Sequence, residues 1–217
     1  MSESRVAIAI VTHDDAADLS GCLSAIAAIA NQHPRSLELV VVDCASADDS
    51  VAIARRLAAA LPSTLQVTLL PLGENLGFAG GMNAALAATD APFVLTLNAD
   101  ARPSPDFIER LLERMQTPSH LRIGAVAGRL VRPGGEDGSR LLDACGMRLA
   151  ATWRHFDRGS GELDRGQYPQ AERVFGATGA ASLFRRAALD DVRFTSGEIF
   201  DPLFHSFRED AELCFRL

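Results

Sequence analysis

No run in this 217-residue chain is apolar for long enough to cross a bilayer, since its most apolar helical stretch, around Leu23 to Ala30, is short and alanine-rich. The start, Met1-Ser-Glu-Ser-Arg5, lacks the charged-then-apolar layout of a signal peptide. No CxxC pair occurs among Cys22, Cys44, Cys145 and Cys214, and Cys22 and Cys44 sit in apolar patterns that suit reduced, buried thiols and a cytoplasmic setting. An excess of positive charge is also missing. With 21 basic and 28 acidic residues the net charge is −7, which argues against a nucleic-acid footprint but not against a small anionic ligand. His13, His155 and His205 show no HxxxH or paired spacing and read as structural or surface residues. No internal repeat and no GxSxG nucleophile elbow appears, so a Ser-His-Asp hydrolase is disfavoured.

What is present is an alternation of strands and helices. Val6 to Val11, Leu37 to Val42, Leu65 to Leu70 and Phe93 to Asn98 read as strands. Between the first two lies a helical stripe of Leu19, Cys22, Leu23, Ile26 and Ile29. Ser46 to Asp49 reads as the cap of a second helix, and Ser104-Pro105 as the N-cap and N1 pair of another carrying Ile108, Leu111, Leu112 and Met115 inward. Such alternation predicts an α/β fold with a mostly parallel sheet flanked by helices. Further on, Gly124 to Val131 reads as one strand, Arg132 to Ser139 as a turn-rich loop, and Arg158 to Gln170 as a mobile polar stretch. Ala180 to Phe184 reads as a strand followed by a short helix, and the chain ends inside a helical pattern, as at a cut end.

Four features fall at predicted strand ends: Thr12 to Asp15, Asp43, Asn75 to Asn83, and Asn98-Ala-Asp100. In a parallel sheet these converge along one edge, where ligands bind. A carboxylate such as Asp43 can accept from a base N–H or ribose hydroxyls, and Gly77, Gly80 and Gly81 allow close backbone approach. Asp100 is an oxygen ligand for a hard cation that also holds substrate phosphates. Taken alone, Asn98-Ala-Asp100 could equally be an Asx-type turn.

In order and spacing these segments resemble family-2 glycosyltransferases of the GT-A fold, in particular a rhamnosyltransferase-like branch. The resemblance rests on Ala9 to His13, Val40 to Asp48, Asn75 to Gly81, Leu97 to Asp100 and Arg208 to Arg216. It implies a nucleotide-sugar-binding half over residues 1–131 and a smaller, mixed acceptor-side half over 132–217, truncated after the ED motif. It further implies that Thr12, Asp14 and Asp43 meet the base and ribose of the donor, that Asn75, Gly77 and Gly81 pack against the nucleotide, and that Asn98 and Asp100 stand for the DxD motif. Asp100 would then ligate Mg²⁺ or Mn²⁺, Gly179 would belong to the loop framing the acceptor, and Glu209-Asp210 would be the catalytic ED pair with Asp210 as general base. The implied partners are a nucleotide-diphosphate sugar and a cell-surface glycan or lipid-linked acceptor, with peripheral contact at the inner face of the membrane left open. Departures are Thr12-His13-Asp14 for the family's Thr-Tyr-Asn, Asn98 for the first Asp of DxD, Glu212 for a second Asp, and no downstream histidine to complete a metal site.

Two rival readings stay open at this level. One is a non-catalytic nucleotide-sugar-binding domain. The other is a nucleotidyltransferase, although Thr12-His-Asp-Asp15 lacks the basic, Gly-rich loop that would require. Glu209 and Asp210 could also be simple helix first-turn charges, and Trp153 and Tyr168 either acceptor-stacking aromatics or structural anchors.

Overall fold

The computed structural model describes residues 5–32, 37–63, 65–117, 122–134 and 138–217. The β-branched runs of the first half form β1 (Val6–Thr12), β2 (Leu37–Asp43), β3 (Leu65–Pro71) and β4 (Phe93–Asn98), interleaved with α1 (Ala16–Gln32), α2 (Ser50–Ala58), α3 (Gly77–Ala87) and α4 (Phe107–Gln116). The second half adds short strands β5 (Ala125–Ala127), β6 (Leu130–Pro133), β7 (Arg140–Ala144), β8 (Met147–Leu149) and β9 (His155–Asp157), then β10 (Ala181–Arg185), α5 (Arg186–Asp191) and α6 (Glu209–Arg216).

The main sheet runs β3-β2-β1-β4-β10-β5. Its first four strands are parallel, β10 is antiparallel to β4, and β5 is antiparallel to β10. Strand β10, from the second half of the chain, therefore separates β4 from β5. The antiparallel pairs β6-β7 and β8-β9 stand apart from this sheet.

Period-two alternation sends Ile8, Ile10, Val41, Leu95 and Leu97 to a face covered by α1 and α4. Ala9, Val40, Val42 and Val94 point to the other face, where Met82 and Ala85 of α3 pack with Phe184, Phe200 and Leu213. All four cysteines are buried and unpaired, and burial pushes the Cys22 thiol up to about 12.

Several expectations are corrected. Gly124 to Val131 is two strands, broken at Gly128, where a Cβ would lie 2.6 Å from the Phe107 ring. Helix α4 starts at Phe107, two residues after Pro105. The Ser104 hydroxyl donates to Asp106 Oδ1 (2.7 Å) and does not cap the helix. Residues 158–170, read as a loose polar stretch, are bonded to the neighbouring strands: Leu142 N–H donates to Glu162 O (2.8 Å), Asp164 N–H to Arg140 O (2.8 Å), and Arg129 pairs with Asp164. The loop expected at 132–139 overlaps the end of β6, and its residues 135–137 lie outside the described residues.

Gly81 is a further correction. It is buried in α3, and a Cβ there would lie 2.6 Å from Val11 Cγ1 and 3.0 Å from Cys44 Sγ. Its bareness brings the helix against the sheet, not the backbone against a ligand. Within a helix Gly→Ala usually gains about 1 kcal/mol, but overpacking a stiff β-branched neighbour costs about 1–3 kcal/mol. The second effect wins, so Gly81→Ala is expected to lower stability in urea unfolding; an equally stable or stabilised variant would refute this packing role.

Candidate active site

The parallel register places Thr12 beside Asp43 and Val11 beside Asn98, so three predicted features share the carboxyl edge of the sheet. The turns beyond β1 and β2 are stitched to each other. Asp14, in the left-handed region at φ 57°, accepts from Ala47 N–H (2.7 Å) and Asp48 N–H (3.2 Å). Ser46 Oγ accepts from Asp14 N–H (2.9 Å), and Ser50 Oγ from Asp15 N–H (3.0 Å). Within the expected cap segment Ser46 to Asp49, Asp48 serves both helix starts: its carboxylate accepts from Ser50 N–H and Ala16 N–H, each at 2.9 Å. Thr12 Oγ1 donates to Asp15 Oδ2 (3.0 Å). Buried Asp43 accepts from Ser46 N–H (3.1 Å) through Oδ2, while its Oδ1 has no hydrogen-bond partner.

Only part of the Asn75 to Asn83 segment faces a ligand space. Asn75 Oδ1 accepts from Gly77 N–H (2.8 Å), closing a tight turn. Gly77 has φ +66°, and a Cβ there would fall 2.3 Å from His205 O, so no other residue fits this approach. The next two amides of α3 are capped from far along the chain: Phe78 N–H donates to Ser206 Oγ (3.1 Å) and Ala79 N–H to His205 O (3.0 Å). Asn83 accepts from Ile199 N–H (3.0 Å) and Phe200 N–H (2.9 Å) and donates to Phe200 O (2.7 Å). Helix α3 thereby docks residues 199–206, which lead into α6.

A cleft of about 780 Å³ opens where these parts meet. Asn75, Gly77, Asn98, Asp100, Gly179, Glu209 and Asp210 all line it, together with His13 and Asp15. Thr12, Asp14, Asp43 and Gly81 are not among its lining residues; the first three sit in or beside the turns that shape its floor. Asp210 is oriented by two backbone donors, Gly179 N–H (2.9 Å) and Ala211 N–H (2.7 Å). Glu209 is 5% exposed, its Oε2 has no partner, and burial pushes its carboxyl up to about 7.

The opposite wall carries residues that the sequence did not single out. Asp143, Asp157 and Met147 line the cleft from β7, β9 and β8, as does His155, which was expected to be structural or superficial. Burial, then the neighbouring charges of Asp210 and Asp143, raise the Asp157 carboxyl above its ordinary range, against the lowering pull of His155. These strands are three to five residues long, too brief for a periodic signal. Among the described residues no three His, Cys, Asp or Glu side chains converge as a metal cage. Asp100 nevertheless fits a metal held largely by substrate phosphates, because its exposed carboxylate stands at the cleft and makes no ion pair among the described residues.

The sequence model of Glycosyl transferase family 2 matches residues 7–193. A 108-residue stretch is 31% identical to the undecaprenyl-phosphate 4-deoxy-4-formamido-L-arabinose transferase of Aeromonas hydrophila, covering 50% of this chain and 32% of that protein. Among solved structures, the mannosyltransferase PcManGT from Pyrobaculum calidifontis, in complex with GDP-Man and Mn²⁺, superposes with a TM-score of 0.65 at 23% identity, over 96% of this chain and 50% of its own. S. aureus TarS 1-349 in complex with UDP gives 0.61 at 17% identity, over 97% and 54%. The chain thus spans about half the length of these structures and a third of the Aeromonas relative. These likenesses confirm the expected mostly parallel GT-A-type architecture.

Glu209 yields a pH prediction. Its carboxyl rises from an ordinary 4.5 to about 7 in the folded chain, so the native state holds the proton more tightly than the unfolded state. The associated stability is fully present below about 4.5 and is lost as pH rises through about 7. Across that window the wild type should lose stability relative to Glu209→Gln in urea unfolding; parallel pH profiles for the two proteins would show that Glu209 is not held neutral.

Proposed function

The chain belongs to glycosyl transferase family 2, and from that premise we propose that it is an inverting, metal-dependent glycosyltransferase acting on a nucleotide-diphosphate sugar. The observation that carries this reading is the placement of Asp100 and a backbone-oriented Asp210 on one cleft, although they lie over a hundred positions apart in sequence. The donor nucleotide would lie along the edge formed by β1, β2 and the start of α3. Asp43 sits beneath that edge at the end of β2, and Asn75 and Gly77 face the diphosphate. Residues 1–131 form the donor side in this reading, residues 132–217 the acceptor side, with β10 shared between them.

Asp100 would hold the Mg²⁺ or Mn²⁺, assisted by Asn98, and the bound ion would neutralise charge developing on the diphosphate. A resident Mn²⁺ in the similar mannosyltransferase supports that choice. Asp210, aimed by Gly179 and Ala211, takes the proton of the acceptor hydroxyl. The hydroxyl oxygen then bonds to the anomeric carbon as the bond from that carbon to the diphosphate oxygen breaks, in one displacement that inverts the centre. Glu209 beside it has a carboxyl that burial pushes up to about 7. The rhamnosyltransferase-like motifs favour deoxythymidine-diphosphate rhamnose as donor. The lipid-phosphate substrate named for the Aeromonas relative favours a lipid-linked acceptor or growing surface glycan, met in the cytoplasm at the inner face of the membrane.

Two substitutions separate these roles. Asp100→Ala should abolish the Mn²⁺-dependent increase in affinity for nucleoside diphosphates, measured by thermal shift; an unchanged increase would remove Asp100 from the site. Asp210→Asn should keep donor affinity while transfer falls by about 10²–10⁴-fold, the usual scale of a lost general base. An active Asn variant would end the general-base assignment.

A further inference from the structure

We propose that the chain carries a second ligand site, an arginine-lined groove that takes phosphate-bearing ligands. This groove, about 820 Å³, runs along β5 between α4 and residues 168–177. The outer edge of β5 has no strand partner among the described residues. Arg110, Arg114, Arg122, Arg129, Arg158 and Arg173 line the groove, against one acidic side chain among the described lining residues, Glu172. That gathering stands out in a chain of net charge −7.

Three of the six are already matched. Arg110 pairs with Asp106 (2.5 Å), Arg129 with Asp164, and Arg158 with Glu172 while also donating to Cys145 O (2.8 Å). Arg114, Arg122 and Arg173 have no ion-pair or hydrogen-bond partner among the described residues. Three uncompensated guanidinium groups around one groove repel each other and gain most from an anion. The chain contains no lysine, so every cation here is a planar fork, a shape that meets phosphate oxygens two at a time.

The groove is also adjacent to the cleft. Gly176 and Ala177 line the groove, and the next two residues, Thr178 and Gly179, line the cleft. Ala177 N–H donates to Cys214 Sγ (3.3 Å) and Gly179 N–H to Asp210, so this segment and α6 form a shared wall. A phosphate held in the groove would lie one segment away from the proposed general base, suited to a phosphate-bearing acceptor. That use rests on the transferase reading; the binding itself does not.

The test is isothermal titration of inorganic pyrophosphate into the intact chain in EDTA, which keeps Asp100 from recruiting it through a cation. A second arm measures co-sedimentation with vesicles of phosphatidylcholine alone and of an equimolar mixture with phosphatidylglycerol. The variants are Arg114→Glu/Arg122→Glu/Arg173→Glu and the milder Gln triple, with thermal melting as the control for folding. Pyrophosphate affinity should fall by about tenfold or more in the Glu triple and by less in the Gln triple. Binding to free pyrophosphate identifies a soluble phosphate ligand, whereas loss seen only with anionic vesicles identifies a lipid headgroup; either supports the site. Unchanged binding of both probes in the folded triples would overturn it, as would loss of pyrophosphate binding in Asp100→Ala, which would return the anion to the cleft. Retained Mn²⁺-dependent nucleotide binding in the triples keeps this outcome distinct from the donor-site reading.

Discussion

Asn83 ties helix α3 to the segment that leads into α6. Its amide satisfies two N–H groups and one carbonyl of Ile199 and Phe200, a stretch without regular secondary structure that would otherwise have to find those partners elsewhere. Each such bond is worth about 1 kcal/mol net, and leaving the groups buried and unmade costs more. Phe78 adds an edge-on contact to Phe200 at 6.0 Å, and the bare Gly77 admits His205. Only because this stretch is docked does α6 begin at the cleft, with Asp210 facing a sheet edge built from residues about a hundred positions earlier. Most of the Gly-rich segment is therefore architecture: Gly81 seats α3 on the sheet, Gly77 and Asn83 seat the approach to Asp210, and Asn75 with Gly77 remains at the cleft.

The first half was legible because burial on both faces forces long β-branched runs, and each run ends where its polar residue meets the sheet edge. Strands β1 to β4, the α1 stripe and the strand-end position of Asn98 and Asp100 could be read in this way, whereas Asp210 was named only through the family resemblance. The second half obeys other rules. Strands β7, β8 and β9 are three to five residues long and lie in two-stranded pairs, too short to leave an apolar period behind. Asp143 and Asp157 were not singled out for that reason, and His155 was read as structural or superficial. The role of Gly81 was misjudged for another: a glycine that accommodates a helix and one that accommodates a ligand look alike in sequence.

Charge is segregated across the wall of residues 176–179. The cleft gathers carboxylates and the groove gathers guanidinium groups, so a net charge near −7 describes neither surface. Within the cleft, burial pushes the Glu209 carboxyl up to about 7 and raises that of Asp157, while Asp210 accepts from two backbone amides. Such an arrangement lets several acids share one space without the repulsion that full ionisation would bring.

The position of β10 has a consequence for biogenesis. Since β10 lies between β4 and β5 in the sheet, β5 leaves the ribosome more than fifty residues before the strand it pairs with. Until β10 arrives, the apolar edge of β4 is an unpaired template, while β1, β2 and β4 can already pair with one another. Pairing of this kind, distant in sequence and late in synthesis, slows folding and lengthens exposure to wrong partners. Translation rate and chaperone access across residues 99–181 should thus govern the yield of native protein more than the stability of the finished fold does.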